Sequence, residues 1–136
     1  MSADSSNPIL FSVPESFESQ HIIIRAPQWG DGAMVNEGVR DSIEELRPWM
    51  DWAQEVPAIE ESEIVSRKGR ARFLERSDLM FYLIHKETDQ FIGGSGLHRI
   101  DWQARKFEIG YWIRTAYSGQ GYITEAVGRI ADFAVY

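Results

Sequence analysis

The chain has 136 residues, 43% hydrophobic and 26% charged, with 14 Lys and Arg against 21 Asp and Glu for a formal net charge of −7. That length fits a single domain, residues 1–136, with a real hydrophobic core, and the acidic balance argues against nucleic acid as the main partner, because a phosphate backbone is held by clustered basic side chains. With no Cys, disulfides, thiolate metal sites and a cysteine nucleophile are excluded, and His21, His85 and His98 are too scattered for a paired zinc motif, so no metal is expected.

Residues 1–16 read as a polar lead and an apolar arm, Ile9, Leu10, Phe11 and Val13, without the basic and long apolar regions of a secretory signal. No run approaches the roughly 18 apolar residues of a membrane span, so a cytoplasmic protein with no membrane partner is expected. His21 to Pro27, "HIIIRAP", is a β-branched run that predicts a first strand. After it, Met34, Val35, Val39, Ile43 and Leu46 recur near helical spacing, with Asp31 placed to cap the start. Gly38 and the Asp41–Ser42 step predict a break into two short helices.

Trp49, Met50 and Trp52 form a cluster that either packs in the core or walls a substrate cleft. From Pro57 the acidic residues come first and the basic ones later, which complements a helix dipole and predicts a third helical segment with Ile64, Ala71 and Leu74 along one face. The basic island Arg67 to Arg72 reads as the solvated side of that helix.

At Met80 the period falls to two. Residues 80–100 predict an antiparallel hairpin around the polar turn "KETDQ", and "FEIGYWIR" predicts a further strand with Phe107, Ile109, Tyr111 and Ile113 on one face and Glu108, Gly110, Trp112 and Arg114 on the other. Ile123, Val127, Ile130, Ala131 and Ala134 then mark an amphipathic helix packed on the sheet. Between strand and helix lies "SGQGY", within a loop spanning 115–124. The first amides of a helix have no partner inside it and sit at the positive end of its dipole, and glycines at 119 and 121 allow anionic oxygens to approach the main chain. Such a loop suits phosphate, although Gly-x-Gly alone also serves in ordinary tight turns. No Walker lysine follows, and Thr124 stands where a dinucleotide fingerprint needs its third glycine.

"EIGYWI" followed by "SGQGYITEAV", preceded in order by "HIIIRAP", "LRPWMDWA" and "FIGGSGLHRID", resembles the GNAT superfamily of acetyl-CoA-dependent N-acetyltransferases, and within it the RimJ/RimL-like branch, over roughly residues 9 to 136. The resemblance implies a mixed α+β (α/β) fold, mainly antiparallel in its sheet, with helices on both faces. It implies that the pyrophosphate of acetyl-CoA rests on Ser118, Gly119, Gln120, Gly121, Tyr122, Ile123 and Thr124. The pantetheine arm then pairs with the strand edge at Trp112, Ile113 and Arg114. Ser118 and Ile123 depart from the family pattern: Ser118 offers a hydroxyl in place of a longer polar group, and Ile123 brings bulk to a small-residue position.

The acceptor is expected to be an amine, from a protein N-terminus or a small molecule, with Glu108 as the candidate base. A mid-strand glutamate also suits a cross-strand pair with Arg99, and His98 and Tyr111 are weaker alternatives for the base. The family continues beyond its third helix into further strands, so the C-terminal strands are expected to be missing here, and a homo-oligomer that covers the open sheet edge is a further expectation. The competing expectation is a fold without turnover that binds CoA or only oligomerises.

Overall fold

The computed structural model describes residues 7–50 and 55–135, without the side chains of 133–135. Trp52 and the Ala134 side chain, both used above, lie outside the described residues. Strands β1 (Ser16–Glu18), β2 (Ile22–Arg25), β3 (Leu79–His85), β4 (Phe91–Asp101) and β5 (Lys106–Ile113) form one sheet in that order, every neighbouring pair antiparallel. Helices α1 (Gly32–Leu46) and α2 (Ile59–Glu75) join β2 to β3, and α3 (Tyr122–Val135) follows β5. The predicted strands and the hairpin stand at their expected places. β1 is an addition: it meets the arm of residues 1–16 only at Ser16, and three residues are too few for a visible alternation.

Alternate residues of β3 face opposite sides, which gives the sheet two apolar layers. Leu79, Phe81 and Leu83 meet Ala126 and Ile130 of α3, whereas Tyr82 and Ile84 meet Val35, Val39 and Ile43 of α1. Helices therefore cover both faces: this is a mixed α/β fold with an antiparallel sheet between helical layers. Phe73, near the end of α2, joins the α3 layer edge-on to Phe81, with ring centroids 5.5 Å apart.

Three expectations about the helices are corrected. First, α1 is one continuous helix. The residues read as a break are contact residues instead: a Cβ at Gly38 would come within 2.7 Å of the Phe91 ring, the buried Ser42 hydroxyl accepts the Thr115 amide at 2.8 Å, and Asp41 pairs with Arg114. Second, Asp31 makes no side-chain cap; its carboxylate accepts both terminal nitrogens of Arg25 at 2.8 and 2.9 Å, and the Gln28 amide. Glu63 of α2 does the capping, accepting the Gly30 and Gly32 amides at 2.8 Å each. Third, α2 turns inward not Ile64, Ala71 and Leu74, which are exposed, but Ser62, Ser66, Gly69 and Phe73. That face has the helical period, yet its small and hydroxyl residues hide it from a hydrophobicity reading. Its polar atoms are satisfied, by Asn36 on Ser62 and by Tyr82 on Ser66.

Candidate functional site

The strand-to-helix loop is built from the end of β5 outward. Arg114 anchors the departure: its amide donates to the Ile92 carbonyl at 2.8 Å, and its guanidinium bonds Asp41 and Glu37 of α1. Burial opposes its charge, but these two carboxylates outweigh that and raise its pKa. A short 3-10 turn, Thr115–Tyr117, leads to Gly119 and Gly121, whose φ values of +76° and +81° lie in the left-handed region that glycine tolerates best. A Cβ added at either would meet nothing within 4 Å, so the main chain there borders open space. The first α3 turn closes with the Glu125 amide on the Gly121 carbonyl at 3.1 Å, which leaves the amides before it without a helical acceptor.

Side chains in the loop serve other ends than the sequence suggested. The Ser118 hydroxyl donates to the Thr115 carbonyl at 2.9 Å and the Gln120 amide to Ala116 at 3.2 Å, so both brace the turn itself. Ile123 packs against the α3-side core, which directs its bulk inward, and Thr124 is exposed. Tyr122 bonds His85 through its hydroxyl at 3.2 Å.

Glu125 is the residue that sequence reading missed. It accepts the His21 amide at 2.8 Å, the His21 ring at 2.7 Å and the Ser19 hydroxyl. Burial works against its ionisation, yet these three donors hold its carboxyl below the usual range. An acidic residue in a first helical turn is a visible signal; partners more than a hundred positions upstream are not.

Among the described residues β5 stands at the edge of the sheet. Because Arg114 donates inward to β4, the alternation of an antiparallel ladder turns the N–H and C=O of Ile113 outward, while those of Trp112 face β4. The expected strand edge is thus offered by Ile113 rather than by Trp112 or Arg114. The Trp112 ring instead packs on Phe91, with centroids 5.5 Å apart, and lines a cavity of about 600 Å³ between α1, α2 and the sheet. Met50 also walls this cavity, whereas Trp49 is 83% exposed.

Glu108, the expected base, pairs with Arg99 at 3.1 Å and is 62% exposed. Its cross-strand partner by register is His98. His98 lines the cavity, and its Nδ1 lies 2.7 Å from Asp78.

The acetyltransferase (GNAT) domain family matches residues 21–136. Two relatives are the uncharacterized N-acetyltransferase p20 of Bacillus licheniformis, 32% identical over 88 residues, and the ribosomal-protein-serine acetyltransferase of Escherichia coli (strain K12), 31% identical over 84. These alignments cover 65% and 60% of this chain and 46% of each relative, so the chain matches about half the length of these curated relatives. The microcin C7 self-immunity acetyltransferase MccE, solved in complex with acetyl-CoA and AMP, superposes with a TM-score of 0.81 at 17% identity, over 88% of this chain and 66% of that one. That likeness is one of fold. Together with the domain match over residues 21–136, it identifies the chain as a member of the GNAT acetyltransferase family.

Proposed function

We propose that this chain binds acetyl-CoA through loop 115–124 and takes part in moving its acetyl group to an amine, in the manner of the RimJ/RimL-like branch. The observation that carries the reading is the pair of left-handed glycines at the mouth of α3, bordering open space, with first-turn amides for which the described residues show no helical acceptor, just after the outermost described strand. Amides from about 119 to 124 would hold the pyrophosphate, and the outward N–H and C=O of Ile113 would pair with the pantetheine as an added strand does. When bound, acetyl-CoA supplies an activated thioester. Glu125, Tyr122 and Arg114 keep the loop in place for it. The acceptor class is an amine, a protein N-terminus or a small molecule; the Escherichia coli relative is named for a ribosomal protein. Further strands paired beyond β5, from a longer chain or a second copy, belong to the same reading.

Calorimetric titration of acetyl-CoA tests it, with Gly121→Trp as the control. Saturable binding that falls at least hundredfold in the control supports the reading; equal binding by both, or none by a folded wild-type chain, sinks it. A fold that binds CoA without turnover is the second reading, favoured by the commitment of Glu108 to Arg99. Release of free thiol in the presence of an amine separates the two.

A further inference from the structure

The cavity beside Trp112 holds an ordered imidazole that loop binding does not use. The His98 ring lies over the sheet between two glycines. A Cβ at Gly96 would come within 3.0 Å of its Cε1, and one at Gly110 within 3.0 Å of Cδ2 and 3.3 Å of Nε2. A larger residue at Gly96, on the same strand, or at Gly110, on the neighbouring β5, would press on the ring. Asp78, just before β3, holds Nδ1 at 2.7 Å, which favours the tautomer with its proton there and leaves Nε2 as an acceptor. Among the described residues no hydrogen-bond partner is found for Nε2. The side chain is 36% exposed where it borders the cavity.

The rest of the cavity is largely apolar, with Val35, Val39, Val65, Met80 and Trp112 among its walls. The groups near His98 that carry or can lose charge are few: Asp78 on its ring, Glu61 of α2 at the cavity wall, Glu108 opposite on β5 and engaged by Arg99, the Tyr82 hydroxyl, held by Ser66, and Tyr111 of β5, a lining residue that is 55% exposed. A half-open, largely apolar cleft of this size with one oriented acceptor and an acidic surround fits a small cation carrying a hydrophobic body.

We propose that this cavity receives an amine bearing a bulky apolar group, and that His98, oriented by Asp78, binds the amine head and takes its proton. The inference rests on the acetyl-transfer reading, because the cavity runs along β5 beside the edge assigned to the thioester. The ammonium gives one proton to Nε2 and keeps the electron pair. The resulting imidazolium is balanced by the Asp78 carboxylate. The freed amine forms the N–C bond as the thioester C–S bond breaks; its second proton goes to the departing thiolate, and His98 returns the first to solvent.

The test is nuclear magnetic resonance of the ¹⁵N-histidine-labelled full chain, titrated with phenethylammonium and, separately, ethylammonium, with His98 assigned through His98→Gln. The Nε2 signal of His98 should shift saturably with phenethylammonium while His21 and His85 stay still. Ethylammonium should bind roughly ten- to hundredfold more weakly for want of the buried ring. Val65→Trp, at a half-exposed wall position, should block binding without unfolding the chain. A His98 that stays silent, equal affinity for the two amines, or undiminished binding in Val65→Trp overturns the proposal.

In the presence of acetyl-CoA, His98→Gln should lower kcat/KM for phenethylamine at least hundredfold while leaving acetyl-CoA affinity within about twofold. An unchanged rate, or a responsive His98 in a chain that binds acetyl-CoA but releases no thiol, overturns the proton-accepting role. Failure of acetyl-CoA to bind while His98 still answers the amine sinks the transferase reading alone and supports the amine site.

Discussion

Glu63 shows how a residue with no catalytic part can hold a helix in place. Its carboxylate takes two amides at the start of α1 and the Arg67 guanidinium at 2.8 Å, and these donors bring its pKa down to about 2 from 4.5. A carboxyl depressed on folding stabilises the fold above its unfolded value and loses that contribution as pH falls toward the folded one. Thermal unfolding of wild type and Glu63→Gln should therefore differ most at neutral pH, with the gap closing between about pH 4.5 and 2; a constant gap across that window refutes the cap. Tyr82 is the buried counterpart. Burial pushes its phenol up to about 12, and its hydroxyl bonds Ser66 at 2.7 Å inside the α2 packing layer. Tyr82→Phe leaves the Ser66 hydroxyl buried without that partner and should cost about 1–2 kcal/mol in denaturant unfolding.

At the scale of elements, helix propensity and packing oppose each other at Gly38. In an exposed helix, Gly→Ala gains about 1 kcal/mol, and a sequence reading that sees a break at Gly38 expects no penalty there. In α1 the added methyl meets the Phe91 ring at 2.7 Å, and overpacking of that kind costs about 1–3 kcal/mol. Gly38→Ala should thus lower the unfolding midpoint, and a raised midpoint would show that α1 moves off the sheet freely. The first turn of α3 is governed by contact as well, through Glu125 on the β1–β2 connection. Glu125→Ala should speed hydrogen exchange of amides 119–124 and weaken acetyl-CoA several-fold without changing the secondary structure. Unaltered exchange there would remove Glu125 from the positioning of the loop.

For the molecule as a whole, the sheet separates two tasks. On the α3 side the aromatic and aliphatic layer fixes the helix that carries the loop, and on the α1–α2 side the packing is less complete and leaves the cavity. Arg114 joins the two, since it leaves the end of β5 and ties it to α1. Arg114→Ala should leave Glu37 and Asp41 as an unbalanced acidic pair and loosen cavity and loop together, visible as faster amide exchange in α1 and in 115–121; a response confined to α1 would argue that the two tasks are independent. Among the described residues no helix is long and apolar enough to cross a membrane.

The strands, the hairpin, the place of α3 and the glycine loop were legible in the chain itself, because period-two alternation, turn residues and a strand–glycine–helix order are local properties. The same local signals supported the resemblance to the GNAT superfamily, which is the part of it that the domain match bears out. What α2 buries was not legible, since Ser62, Ser66 and Gly69 carry no hydrophobic signal and are inward only because Asn36, Tyr82 and Met80 come to meet them. The same holds for the site. That Glu108 is spoken for by Arg99, that Ile113 rather than Trp112 turns its backbone outward, and that His98 faces an apolar space with Asp78 behind it all depend on strand register and on helices laid across the sheet. Such contacts join residues far apart in the chain, so only the tertiary structure decides them.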